Sequence, residues 1–145
     1  MKKKFDLYEH LAQYYETDQM GIIHHSNYIR WFEEARTNLL DQMGFGYDKM
    51  EKLGIIVPVL EIACHYKSMV RYNDRVYILP KIEAFNGIRL TISYQIIDKI
   101  TGKLRTTGES KHCFLDKENR PVSLKKKHPE LYDLFDAYLG VDLSK

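Results

Sequence analysis

The segment that most constrains this chain is residues 28–43, YIRWFEEARTNLLDQM, where Tyr28, Trp31, Phe32, Ala35, Leu39 and Met43 recur at three- and four-residue spacings. That period predicts a helix, and Gly44 follows as a natural stop. Ile29 and Leu40 widen the apolar stripe, so the helix needs cover on more than one side. The cover comes later in the chain: residues 56–66, 75–85, 88–98 and 103–116 are rich in β-branched and aromatic side chains and bounded by turn residues, which predicts four strands. Asn86-Gly87 and Thr101-Gly102 read as tight hairpin turns, making the last three strands an antiparallel meander. Pro58 and Pro80 belong near strand ends or edges. Ahead of the helix, residues 6–15 carry Leu7, Leu11 and the Tyr14/Tyr15 pair in an imperfect alternation and read as a first strand. Residues 48–53 predict a short second helix, and residues 128–139, with Pro129 in the first turn, a C-terminal one. The order predicts the α+β class, and a five-stranded antiparallel sheet wrapped around one long helix satisfies both the wide apolar stripe and the alternating strands, although pattern alone leaves other α+β folds open.

A chain of 145 residues with 44% hydrophobic content suits a single domain spanning residues 1–145. The N-terminal stretch MKKKFDLYEHLAQYY lacks a continuous apolar run, and no later segment is apolar enough to span a bilayer, so the expectation is a cytoplasmic protein without stable membrane insertion. Basic and acidic residues, 22 against 20, nearly balance, which argues against a nucleic-acid partner. The lysine runs at Lys2 to Lys4 and Lys125 to Lys127 read as solvated surface. Cys64 and Cys113 fit unpaired core thiols in a reducing compartment. Cys64-His65 and His112-Cys113 do not make a metal site, because consecutive strand residues face opposite sides of a sheet; no metal and no cofactor are expected.

Chemistry concentrates between the first strand and the helix, in YYETDQMGIIHHSNY, residues 14–28. Ser26 or Asn27 is a natural N-cap, and a helix N-terminus offers unpaired N–H groups and a positive dipole end that can stabilise an oxyanion. Asp18, on the loop before it, has the chemistry of a nucleophile or a general base, and Gly21 lets the loop turn tightly. Ending a strand or capping a turn is the ordinary alternative for such an aspartate. His24 and His25 are adjacent and should point in different directions; His25 is the better candidate to face a substrate.

This segment resembles the active-site signature of the 4-hydroxybenzoyl-CoA thioesterase family, in particular its small bacterial acyl-CoA thioesterases associated with the Tol-Pal system. Tyr15, Thr17, Asp18, Gly21, Ile22, Ile23, His25 and Tyr28 carry the likeness, followed by a family-like helix from Arg30 to Arg36; weaker likeness runs through His65-Tyr66-Lys67, residues 71–74 and Arg120-Pro121-Val122. The resemblance implies a hotdog fold and hydrolysis of an acyl-CoA, or an acyl carrier protein thioester, to a carboxylate. It gives Asp18 the catalytic carboxylate position and the backbone N–H of His25 the position that polarises the carbonyl. It also implies a homodimer or homotetramer with strands paired between subunits and sites at the interface. Where the Tol-Pal branch usually has small residues, this chain has Gln19-Met20, a difference that bears on acyl preference.

Asp18 and His25 are thus the catalytic candidates. Gly21, Ser26 and Tyr28 are expected to contact the substrate, with Lys67, Arg71 and Arg75 as a cationic rim for CoA phosphates or, equally, an ordinary solvated turn. Two other functions use the same residue types: a hydratase acting on enoyl thioesters, and a non-catalytic acyl-CoA-binding module that would not need Asp18.

Overall fold

A computed structural model describes residues 5–142 of the protein. In chain order they form β1 (Tyr8–Leu11), a 3-10 turn (Tyr14–Glu16), α1 (Ser26–Gln42), α2 (Tyr47–Lys52), β2 (Val59–Tyr66), β3 (Arg75–Phe85), β4 (Arg89–Asp98), β5 (Leu104–Cys113), α3 (Leu124–Lys127) and α4 (Pro129–Tyr138). The strands form one antiparallel sheet in the order β1-β3-β4-β5-β2. This is the predicted wrap of five strands around one helix. Trp31, Phe32, Ala35 and Leu39 are buried on α1, opposite Val76, Ile78, Ile82, Leu90, Ile92 and Ile96 of the inner sheet face. Phe32 stacks on Tyr94 with ring centroids 4.4 Å apart. A side chain is excluded beneath that stack: a Cβ at Gly108 would come within 2.5 Å of the Phe32 ring and 2.6 Å of the Ala63 carbonyl.

The far end of the sheet is closed by α4, whose Leu131, Phe135 and Tyr138 are buried, with Phe135 lying against Phe85 and Phe114. The three lysines of α3 are exposed as expected, whereas Lys2 to Lys4 lie outside the described residues. Among the described residues no helix is long and apolar enough to cross a membrane.

Several boundaries differ from the sequence reading, each for a local reason. The first strand covers only Tyr8–Leu11, because the buried side chain near its end is Glu16, at 5% exposure, while Tyr14 and Tyr15 face outward. The Glu16 carboxylate accepts the Gln13 N–H at 2.8 Å and curls residues 14–16 into a 3-10 turn. Helix α1 starts at Ser26, so neither Ser26 nor Asn27 is its N-cap; His25 is, without a side-chain capping bond. The short second helix is shifted by one residue, and α3 was not foreseen. Both hairpin links are longer than two residues, since Asn86 Oδ1 accepts the N–H groups of Ile88 and Arg89, and Asp98 Oδ1 those of Ile100 and Thr101. Strand β2 starts at Val59, just after Pro58; Ile56 makes only an isolated bridge to Leu115. Pro80 sits in mid-strand, but β1 pairs with β3 only as far as Ile78, so that side of β3 is already an edge.

Candidate active site

The loop before α1 folds back on itself as a small antiparallel turn. Thr17 bridges Ile23, the Asp18 N–H donates to the Ile22 carbonyl at 2.8 Å, and the Gly21 N–H returns to the Asp18 carbonyl at 3.1 Å. Gly21 takes φ +77°, a left-handed conformation that a side chain would resist. Ile22 bridges Arg71, and the Ile23 N–H donates to Val70 at 2.9 Å, tying the turn to residues 70–71. Asp18 stands half-buried at the corner. Its Oδ1 accepts the N–H of Met20 at 2.8 Å and, more weakly, of Ile22 at 3.5 Å, while Oδ2 has no hydrogen-bond partner among the described residues. The aspartate therefore does cap its turn, with one oxygen, and keeps the other available.

At the start of α1 most of the loose N–H groups are used. His24 Nδ1 accepts the Ser26 N–H at 3.2 Å, the His24 carbonyl accepts the Asn27 N–H at 3.0 Å, and His24's own N–H donates to the Glu16 carbonyl at 2.8 Å. The His25 N–H has no partner among the described residues. A backbone donor without a partner at the positive end of a 17-residue helix suits a developing negative charge. The rings of His24 and His25 do not diverge as expected but stack, with centroids 4.1 Å apart. His25 has helical φ and ψ, and in that backbone adjacent side chains are not thrown to opposite faces as they are in a strand.

Asp18 and His25 line one cleft of about 300 Å³. The turn contributes Met20, Ile22 and Ile23, α1 contributes Tyr28, and the end of β2 with the residues after it contributes Tyr66, Lys67, Ser68 and Met69. Tyr28 is buried between Trp31 and Tyr66, each ring 5.1 Å away, and its hydroxyl accepts the Val70 N–H at 3.4 Å. Burial raises its pKa above the ordinary phenol value. Tyr66 donates its hydroxyl proton to the His25 carbonyl at 3.1 Å, clasping the start of the helix, and loss of hydration pushes its pKa up to about 12, so it stays a donor at any ordinary pH.

The structure thus gathers Asp18, His25, Tyr28 and Lys67. Gly21 shapes the turn without lining the cleft. Ser26 turns its Oγ to His24 Nδ1 at 2.8 Å instead of toward the opening. Arg71 is exposed beside the cleft, its backbone N–H held by Asp74 at 2.9 Å. Arg75 is engaged elsewhere, bound to Glu9 at 2.8 Å. Sequence reasoning did not assign Tyr66 or Met69 to the site and tied Met20 to it only through acyl preference. Cys64 and Tyr66 share a strand face by alternation, but only the folded sheet shows that β2 ends over the start of α1.

A five-stranded antiparallel sheet wrapped around one long helix is the hotdog fold. The chain belongs to the thioesterase-like superfamily, whose family profile matches residues 13–134. It is 36% identical over 126 residues to a Bacillus subtilis protein provisionally named acyl-CoA thioesterase YneP, covering 86% of this chain and 91% of that one. It is 38% identical over 121 residues to an Aquifex aeolicus protein provisionally named an esterase, covering 83% and 92%. Among solved structures, a DHNA-CoA thioesterase from Staphylococcus aureus superposes with a TM-score of 0.85 at 33% identity, over 90% of this chain and 88% of that one.

Proposed function

We propose that the protein is a single-domain acyl-CoA thioesterase that uses water to convert a thioester to a free carboxylic acid and CoA, with Asp18 as nucleophile or general base. The observation that carries this reading is that Asp18, whose Oδ2 has no hydrogen-bond partner among the described residues, and His25, whose N–H has none, line the same cleft. The thioester carbonyl oxygen takes the His25 N–H and gains from the helix dipole as charge develops on it. Asp18 then either attacks the carbonyl carbon, forming an anhydride that water resolves, or removes a proton from the attacking water. In both routes the thiolate of CoA leaves and takes up a proton. Lys67, exposed in the cleft lining, suits the phosphates of CoA, with Arg71 exposed nearby and bridged to Ile22 of the lining, and Met20 places the Gln19-Met20 pair at the wall of the cleft, where it bears on acyl preference.

The signature from Tyr15 to Tyr28 supports placement near the Tol-Pal branch of the 4-hydroxybenzoyl-CoA thioesterases. An Escherichia coli acyl-CoA thioester hydrolase, YbgC, is 27% identical over 86 residues, covering 59% of this chain and 64% of that one. The free thiols of Cys64 and Cys113 favour a cytoplasmic setting. Strand β2 is an outer strand of the sheet with Val59 and Leu60 exposed, and it ends at Tyr66 in the cleft. Pairing two copies along β2 into a homodimer, or a homotetramer built from it, covers that edge and brings the partner to the rim of the site.

The test is thiol release across short, medium, long and aromatic acyl-CoAs by the wild type and Asp18→Asn. Turnover is expected in the wild type and a fall of about 10²–10⁴-fold in the variant. An equally active variant, or a wild type that releases no thiol from any thioester, would refute the reading.

A further inference from the structure

Two residues before Asp18 lies a buried carboxylate that the proposed reaction does not use. Glu16 is 5% exposed, and all its acceptor capacity points inward. Oε1 accepts the His10 Nε2 proton at 2.9 Å and the Gln13 N–H at 2.8 Å; Oε2 accepts the Trp31 indole N–H at 2.7 Å. The backbone carbonyl of the same residue accepts the His24 N–H at 2.8 Å and the Asn27 side-chain amide at 2.9 Å. One residue therefore joins β1, the 3-10 turn, the segment leading into α1 and the inner face of α1. It stands directly between the two groups whose separation matters for the chemistry: Thr17 and Asp18 follow it in the chain, and His24, the residue it grips, adjoins His25.

We propose that Glu16 is a positioning residue that sets the distance between the Asp18 carboxylate and the His25 N–H, its carboxylate anchoring the turn to Trp31 and β1 and its carbonyl holding the start of α1. The proposal rests on the thioesterase reading of Asp18 and His25. A buried carboxylate is costly to desolvate, and three donors on Glu16 offset that cost only in one geometry, so the anchor is rigid. Misplacing reacting groups by about 1 Å costs on the order of 10²-fold in rate while leaving substrate contacts made elsewhere in the cleft intact. The effect should therefore appear in kcat rather than in KM.

The chain has one tryptophan, so intrinsic fluorescence reports on the Glu16–Trp31 bond itself. Kinetics on the acyl-CoA found to be the best wild-type substrate are compared for Glu16→Gln, Glu16→Ala and Asn27→Ala, with circular dichroism and Trp31 emission recorded for each. The expected order of kcat is wild type, then Glu16→Gln, whose amide oxygen can still accept the indole N–H, then Glu16→Ala, down about 10- to 100-fold, with KM within about threefold. Asn27→Ala removes a ligand of the Glu16 carbonyl without touching the carboxylate and is expected to lower kcat in the same way. Trp31 emission is expected to shift in Glu16→Ala and not in Asn27→Ala. Folded Glu16 and Asn27 variants with wild-type kcat would overturn the proposal, as would a loss confined to KM. If Glu16→Ala does not fold, Glu16→Gln and Asn27→Ala decide the matter. Inactivity of Asp18→Asn alongside full activity of every folded Glu16 and Asn27 variant would sink the positioning role alone; full activity of Asp18→Asn would sink the function reading beneath it.

Discussion

Helix α1 carries two clusters of buried polar side chains, and they are built on opposite principles. The Glu16 cluster, near the N-terminus of the helix, is anionic at its centre and reaches His10, Trp31 and, through His10, Glu34. The cluster in the middle of the helix is centred on the Arg36 guanidinium, also 5% exposed, which donates to Tyr47 at 2.9 Å and Tyr94 at 3.0 Å; among the described residues no carboxylate pairs with it. A guanidinium can only donate, so the Tyr94 oxygen accepts and its own proton must go to Ser110, 2.6 Å away; the Ser110 hydroxyl then donates to His112 Nε2 at 2.7 Å. His112 is left neutral with its proton on Nδ1, near the Pro58 backbone but without a partner at hydrogen-bonding distance. The first cluster joins segments next to each other around the site. The second joins the helix to β4 and β5 in the middle of the core, away from the cleft. Buried polarity thus serves geometry of reaction in one place and attachment of helix to sheet in the other.

The contrast is tested hardest at Gly108, beneath the Phe32–Tyr94 stack. Gly108→Ala forces a methyl onto the Phe32 ring and the Ala63 carbonyl and is expected to cost about 3 kcal/mol in urea unfolding. Arg36→Ala, which strips Tyr47 and Tyr94 of their donor and leaves a void, is expected to cost about 2–3 kcal/mol and to leave kcat of the folded protein near wild type. A kcat loss as large as that of Glu16→Ala would mean that the two clusters act as one unit.

The smallest effect separates the clusters by sign. Burial first, and then the Arg36 charge, lower the His112 pKa to about 4, below its unfolded value of about 6.5. Between those pH values the unfolded chain takes up a proton that the folded protein refuses, so this contribution is complete above about pH 6.5 and stability falls as pH drops toward 4, with a limiting slope of about 1.4 kcal/mol per pH unit. For His10, burial pulls downward, but hydrogen bonds to Glu34 and Glu16 outweigh it and raise the pKa. Its contribution is therefore present below the unfolded pKa and is lost as pH rises through the folded one. Melting temperature against pH should lose part of its acid limb in His112→Gln and part of its decline above pH 6.5 in His10→Gln; the same change in both variants would erase the distinction.

How much of this could be read from the chain depends on how far apart the interacting residues lie. Asp18, Gly21, His25 and Tyr28 sit within one strand–loop–helix segment, so their grouping was legible without the fold. The role of Glu16 was hidden because its partners are split among β1, the turn and α1, and because a glutamate in an alternating run reads as an exposed residue. His24 and His25 were expected to point apart because they are adjacent, yet their rings stack at a point where His25 already has helical φ and ψ. Ser26 and Arg75 carried the right chemistry for substrate contact, yet nearer partners, His24 and Glu9, engage them.

By itself the sequence determined the element types and their order, since the 3.6-residue period of 28–43 and the alternation of the later strands follow from local geometry. The width of the apolar stripe called for a sheet to cover the helix, but the pattern alone left other α+β arrangements open, and the wrap became specific only through the likeness of residues 15–28 to a known family. Only the tertiary structure decided that β2 ends over the start of α1, so that Tyr66 holds His25, and that the His25 N–H has no partner among the described residues. Those outcomes turn on hydrogen-bond competition between residues far apart in the chain, which no local pattern encodes.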